Sequence, residues 1–352
     1  MMRSNNTSGQ SLIWLVCIVA VATLAACGDQ LTAEEQETEE YRAALVSEQD
    51  ISLSFPGGDS RSSGLNDEVS GVAALTAETV ISTNVFLGGH LKMMRVITSF
   101  RPTTADGDRR VWEGTDDGYF VRVEVERSDA PRGTRFDYAM SARLAEDVSA
   151  DMLTIFDGHV VRIETRPDHD NQGWGVVRHH FDNYNTLAPH EQVDGKARLA
   201  FRRVGDVRQV RVHLIGIETP EHPDFPEAAA YDYVLLPDRS GRMKWHARAD
   251  FNQDGQQPLE DIAVHSYWRA DLSGAGVARA TDGSLDVEFV RSAQCWNQRV
   301  RKTYELLSWP GGQSEDGARA DCVQDVDQLE PPQAPDEVSG DPEIPAAHPE
   351  ES

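Results

Sequence analysis

The feature that most constrains this chain is a period-two alternation that returns again and again after Pro102. Tyr119, Val121, Val123 and Val125 form one such run, and Phe136, Tyr138, Met140 and Ala142 form another. So do Ala197, Leu199 and Phe201; Val210, Val212 and Leu214; Met243, Trp245 and Ala247; Ile262, Val264 and Trp268; and Leu285, Val287 and Phe289. Successive side chains on a strand point to opposite faces, so each run gives a ribbon with one apolar face. Between the runs stand Asp106-Gly107, Asp157-Gly158, Asp194-Gly195, Ser240-Gly241 and Asp282-Gly283. Such pairs suit the short turns of antiparallel hairpins. Strands do not alternate with helical stretches, so a parallel sheet is excluded. The expected fold class is mainly β: a large antiparallel curled sheet or half-barrel of about ten to twelve strands.

Ahead of the strands, Thr79 to Phe100 changes period. Phe86, His90, Met93, Ile97 and Phe100 form one row at helical spacing, with Leu87, Leu91 and Met94 beside it and Pro102 just beyond. This predicts one N-terminal amphipathic helix, packed on the core or lying as a lid over a pocket.

The N-terminus is built differently. Met1-Met2-Arg3 and a polar stretch precede an apolar run from Leu12 to Ala26, which ends Leu24-Ala25-Ala26-Cys27. A cationic start and an apolar run closing on small residues make a secretory signal. The last four residues resemble the lipobox of bacterial lipoproteins, Leu-[Ala/Ser]-[Gly/Ala]-Cys, at every position. The resemblance implies that residues 1–26 are removed, that the Cys27 thiol carries diacylglycerol, and that the new amino group is acylated. Each buried methylene contributes roughly 0.8 kcal/mol, so two or three acyl chains make a firm membrane anchor. One competing reading, an uncleaved transmembrane helix, meets an apolar run shorter than the roughly 20 residues a bilayer wants. The other is ordinary signal cleavage beside a coincidental cysteine.

Charge divides the remainder. The chain carries a formal −26, yet residues 28–70 hold eleven acids against two bases, and residues 323–352 hold nine acids and no base. Residues 27–70 therefore read as a lipidated cysteine and a disordered acidic tether, with a transient helix over Ala33 to Leu45 the alternative for part of it. Residues 71–322 read as a single β-rich domain, and residues 323–352 as a disordered acidic Pro-rich tail that, with the tether, spaces the body from an anionic surface. Nucleic acid is excluded as a partner, because it asks for a basic patch and a high pI. Cys17 falls in the signal and Cys27 takes lipid, which leaves Cys295 and Cys322 as an even pair in an oxidising compartment, where a disulfide is expected. Closing such a loop contributes roughly 3–4 kcal/mol in the chain-entropy account.

The strongest ligand motif runs from Asp250 to Asp261. It reads Asp-x-Asn-x-Asp-Gly with an acid at the twelfth position, and it resembles a calcium loop of the EF-hand type. Calcium takes six to eight oxygens, and the resemblance implies ligation by Asp250, Asn252, Asp254, the Gln256 carbonyl and Asp261. Gln257 stands where that family has an apolar residue, Asp261 is shorter than the usual Glu, and the flanks read as strands; a plain hairpin loop competes. No cofactor is required otherwise. Asp168-His169-Asp170 and His179-His180-Phe181-Asp182 read as surface loops, since neighbours on a strand face opposite ways. Gly-x-Ser-x-Gly, Ser-x-x-Lys and P-loop patterns are absent from the sequence, although a triad dispersed along the chain needs no such pattern.

A second resemblance covers the last third. Trp268-Arg269-Ala270-Asp271, Gly274-Ala275-Gly276-Val277, Cys295-Trp296-Asn297, Tyr304 and Cys322 are similar to a Trp…Gly-x-Gly…Cys-Trp pattern of secreted lipoproteins of myxobacterial type. It implies anchoring and the disulfide and no activity. Read as residues, Trp268 and Trp296 are core aromatics and the glycines are tight turns. The expected function is a membrane-anchored exported lipoprotein of the cell envelope, at the outer membrane or the periplasmic face. It would act as a non-enzymatic binding or structural module whose partner is an envelope protein or an apolar ligand; the alternative is an exported hydrolase with a dispersed active site.

Overall fold

The computed structural model describes residues 32–55, 69–163, 172–188, 194–218, 228–249, 259–283, 285–332, 342 and 344–345. Helices α1 (Ala33–Ala44), α2 (Glu48–Ile51) and α3 (Gly71–Thr98) come first. Strands β1 (Thr104–Asp106), β2 (Arg109–Asp116), β3 (Tyr119–Ala130), β4 (Gly133–Leu144), β5 (Leu153–Arg162) and β6 (Gly173–His180) follow, and then a short helix, α4 (Phe181–Leu187). Strands β7 (Asp194–Val204), β8 (Val207–Glu218), β9 (Ala228–Leu235), β10 (Gly241–Ala249) and β11 (Glu260–Trp268) continue the series. It closes with β12 (Gly274–Asp282), β13 (Phe289–Trp296), β14 (Lys302–Trp309) and β15 (Gly312–Gly317). All fifteen strands lie in one antiparallel sheet whose spatial order is the order of the chain. Every connection is therefore local.

The sheet is open, since β1 pairs with β2 and β15 with β14, and not with each other. Its edges are blunted as exposed edges must be. β1 is three exposed residues, and β15 carries Glu315 and Asp316 on an exposed strand.

The alternating runs lie where the period-two reading puts them. Val121, Val123, Val125, Phe136, Tyr138, Met140, Leu199, Phe201, Val210, Val212, Met243, Trp245, Val264 and Trp268 are buried in one cluster, together with residues of α1, α2 and α3. The strand count exceeds the expected ten to twelve. The missed strands hide their alternation: β5 buries residues on both faces and β15 on neither, so a one-sided apolar pattern never develops. Several local expectations fail: Asp194-Gly195 opens β7 at a register shift and is not in a turn. Asp157-Gly158 is inside β5 and not in a turn; a Cβ on Gly158 would lie 2.1 Å from the Val176 carbonyl and 2.6 Å from the Tyr138 hydroxyl. Leu285 and Val287 precede β13, which begins at Phe289.

Helix α3 starts at Gly71, earlier than the sequence suggests. Its buried face is Val72, Ala73, Thr76, Val80, Thr83, Leu91, Met94 and Thr98. Leu91 and Met94, expected beside the row built on Phe86, are buried; of the row itself only Phe100 has a described side chain, and it lies past the helix end and is 62% exposed. The side chains of Phe86, His90, Met93 and Ile97 lie outside the described residues. Threonines form part of the described buried face. Thr76 and Thr98 turn their hydroxyls back to the Val72 and Met94 carbonyls, which lets a polar residue sit inside. The helix N-terminus is fixed to β13: Ser70 Oγ accepts from Ala73 N–H, and Gln294 Oε1 accepts from both Ser70 Oγ and Val72 N–H.

The Gly-x-Gly glycines are not turns but close approaches. A Cβ on Gly276 would come within 2.6 Å of Val72 Cγ1, and one on Gly274 within 2.3 Å of the Trp296 ring. Trp268 and Trp296 are buried core aromatics, as the sequence suggests.

Two segments expected to be disordered pack against the sheet over part of their length. Residues 32–55 lie on the helix-covered face. On the other face, Val326 and Leu329 join Ala275, Val277, Ala293, Cys295 and Tyr304 in a second cluster. Cys295 and Cys322 are disulfide-bonded, with Cα atoms 5.3 Å apart, so this C-terminal strap is stapled to β13. Its end is held by His265, whose Nδ1 lies 3.0 Å from the Glu330 carbonyl.

Burial, with Lys244 nearby, pushes the His265 pKa down to about 4. The folded value is below the ordinary 6.5, so the unfolded chain binds the proton first as pH falls. Stability from neutral His265 is complete above pH 6.5 and is lost through the fall toward 4. Between neutrality and about pH 4.5 this group should cost about 2–3 kcal/mol, read from urea midpoints, and His265→Gln should flatten that part of the slope. An unchanged slope in the variant would contradict the assignment.

Candidate functional site

The chain lays its own N-terminal strap across the helix-covered face of the sheet. The strap begins with α1, capped by a reciprocal pair: Thr32 Oγ1 accepts from Glu35 N–H, and the Glu35 carboxylate accepts from Thr32 N–H. The Thr32 N–H and hydroxyl hold the Glu35 carboxyl below its usual range, and the Arg101 charge adds to this. At the far end of α1, Tyr41 is fully buried against the edge of Phe136, 5.5 Å between centroids. The Arg110 and Arg127 guanidinium groups lie 4.8 and 5.5 Å from its ring centroid. Glu37 pairs with both arginines, at 2.8 and 3.5 Å.

Arg162 on β5 then ends the helix. Its Nε donates to the Ala44 carbonyl at 2.9 Å and its Nη2 to the Leu45 carbonyl at 2.8 Å, acceptors that a helix C-terminus otherwise leaves unpaired. The same guanidinium grips Asp50 at 3.1 and 2.9 Å. Asp50 is fully buried and also accepts from the Ser47 N–H and hydroxyl.

Beyond α2, residues 52–55 belong to neither helix nor strand and pair with no strand among the described residues. Side chains complete their backbone one residue at a time. Arg208 on β8 donates to the Ser52 carbonyl at 2.5 Å. Asn84 on α3 accepts from Leu53 N–H at 2.7 Å and donates to its carbonyl at 2.8 Å. The Tyr233 hydroxyl on β9 accepts from Ser54 N–H and donates to its carbonyl, both at 2.9 Å. Phe55 meets Trp268 edge-on at 5.2 Å. Burial raises the Tyr233 pKa, opposed by these Ser54 bonds, and burial lowers that of Arg208. The strap thus crosses β4, β5, β8, β9 and β11 in turn, read by a set of donors and acceptors that treats it as a peptide.

The residues singled out from the sequence fall elsewhere. Cys27 lies outside the described residues, as do Asp250, Asn252, Asp254 and Gln256. Asp261 sits on β11, where Arg248 donates to both carboxylate oxygens at 3.0 Å and His246 lies 3.3 Å away. Among the described residues, no three His, Cys, Asp or Glu side chains converge as a metal site would require. His179 and His180 are not in a surface loop. His179 lies in β6 between the rings of Phe156 and Phe181, while His180, the last residue of the strand, faces the other way and lies 2.6 Å from Asp157. Burial raises the Asp157 pKa, but His180 and Arg178 outweigh it and hold the carboxyl below its usual range. Asp168, His169 and Asp170 lie outside the described residues. No described helix is long and apolar enough to cross a membrane. Comparison with protein-family models, curated proteins and solved structures finds no match.

The buried pair sets the energy scale of the strap. Asp50→Asn would leave the Arg162 charge buried without its anion, which should cost about 3–5 kcal/mol in urea unfolding. A loss below about 1 kcal/mol, the scale of an exposed pair, would show that the strap is not held this way.

Proposed function

We propose that this chain is an exported lipoprotein held to the envelope membrane by acyl chains on Cys27, and that its body is a non-catalytic structural or partner-binding module. The N-terminal signal supports it: the segment that follows the lipobox is the strap that fills the helix-covered face. A face meant for a loose apolar ligand would stay open, whereas Tyr41, Ile51, Leu53 and Phe55 are buried on this one. A role built on shape and surface fits this better than carriage of a small molecule, and an envelope protein is the partner class it favours. We read the sheet as a curled half-barrel closed around its own N-terminus. In support, α3 reaches β11, β12 and β13 late in the strand order and also β2 and β3 early in it.

The strap also changes what the anchor does. Four residues separate Cys27 from Thr32 in the sequence, a reach of about 18 Å at most. With α1 packed on the sheet, the body is held close to the membrane and not spaced from it. Calcium in the loop from Asp250 to Asp261 remains part of this proposal as an accessory ligand, although Arg248 engages Asp261.

Replacing Cys27 by Ser in the native host should move the protein from the membrane fraction to the soluble one. Intact mass of the wild-type chain should show a product beginning at Cys27 and carrying diacylglycerol. Membrane retention of the variant, or an unmodified thiol, would overturn the reading.

A further inference from the structure

We infer that the exposed end of α3, formed by Lys92, Arg95, Val96, Phe100 and Arg101, is a docking surface for an anionic bilayer, the one entered by the acyl chains on Cys27. The inference rests on the lipoprotein reading and adds an orientation to it.

Charge is the first observation. In a chain with 59 acidic residues, no Asp or Glu occurs between Glu78 and Asp106, while Lys92, Arg95 and Arg101 do. All three are exposed. They make no ion pair among the described residues, whereas Arg109, Arg122, Arg127 and Arg135 each hold a carboxylate. Nearby carboxylates on α1 are engaged: Glu39 pairs with Arg42, and Glu35 closes its helix cap with Thr32. Lys92, Arg95, Val96 and Ser99 recur at helical spacing and so share one exposed face.

The second observation is the way Phe100 is held. Its side chain belongs to a residue that is 62% exposed, yet its carbonyl accepts from Arg42 Nη2 at 2.7 Å and from Trp112 Nε1 at 2.9 Å. The backbone is fixed and an aromatic residue is left in water beside three cations, the composition of a membrane-interface surface. Val96, 39% exposed, extends the apolar part.

Proximity is the third. Arg42, in the last turn of α1, donates to the Thr98 and Phe100 carbonyls, and the Arg101 charge reaches Glu35 in the first turn. The patch therefore flanks the helix that follows the anchored cysteine. Each basic group near an anionic surface strengthens attachment roughly fivefold, so three contribute on the order of a hundredfold. That is weak for a free protein and sufficient for one whose lipid already supplies a high local concentration.

The test uses the full lipidated chain carrying Ser99→Cys, labelled with a polarity-sensitive dye, because the native cysteines are taken up by lipid and disulfide. It is bound to vesicles of phosphatidylcholine alone or of phosphatidylcholine mixed with phosphatidylglycerol. The expected result is flotation with both and an apolar shift of the dye only with phosphatidylglycerol. The shift should be abolished by Lys92→Gln, Arg95→Gln and Arg101→Gln together, and reduced several-fold at about 0.5 M salt, where the Debye length is about 4 Å. The three replaced side chains are exposed, so the variant should unfold at the parent temperature. A chain that floats with both vesicles while the dye reports no difference, or an equal shift in the neutralised variant or at a control label on Ser314→Cys, overturns the docking surface alone. A chain that floats with neither overturns the lipoprotein reading, and this inference with it.

Discussion

A segment that lies on a sheet without joining its ladder must find other partners for its backbone N–H and C=O groups, and the whole arrangement turns on how this chain meets that demand over residues 52–54. Unpaired buried backbone groups cost free energy on the scale of a lost hydrogen bond. Arg162, Arg208, Asn84 and Tyr233 supply partners in succession along residues 44–54. These side chains come from β5, β8, β9 and α3, so the strap fixes the relative positions of distant strands as they fix it. Arg162 matters most, because it ends α1 and neutralises buried Asp50 with one planar guanidinium.

That arrangement has a consequence for a sheet of simple topology. A fifteen-strand meander has only local pairings, and nothing in the ladder itself ties its ends together. Non-local contacts come from the covering layers instead. On one face, α3 reaches strands early and late in the order. On the other, the disulfide and the buried Val326 and Leu329 bind the C-terminal strap across β12 and β13. The N-terminal and C-terminal straps thus act as clasps. The sequence alone makes them look like solvated acidic flanks.

Why the sheet is legible in the sequence and the clasps are not is a matter of range. Alternation is local, and runs such as Val121 to Val125 declare their buried face within a few residues. Strands buried on both faces, β5 among them, lose that signature. In the strap the deciding partners are remote: Asp50 meets Arg162 across 112 residues, and Ser54 meets Tyr233 across 179. Acids from Glu34 to Glu40 suggest disorder because the arginines that answer Glu37 and Glu40 lie on β2 and β3. The buried face of α3 is obscured in a related way, by threonines whose hydroxyls are satisfied within their own helix. Of the candidate site residues, the paired cysteines are legible from compartment and number, and they are bonded. Cys27, expected to carry lipid, and most of the residues expected to hold calcium lie beyond what the structure describes.

The backbone of Leu53 and Ser54, partnered by side chains alone, offers the most direct measurement. Native-state hydrogen exchange on the full chain should find the amides of Leu53 and Ser54 protected to the level of the central strands, opening with them as one unit. Exchange of these amides at rates of an exposed loop, while β7 and β8 stay protected, would mean that the strap is not part of the core and does not hold the sheet together.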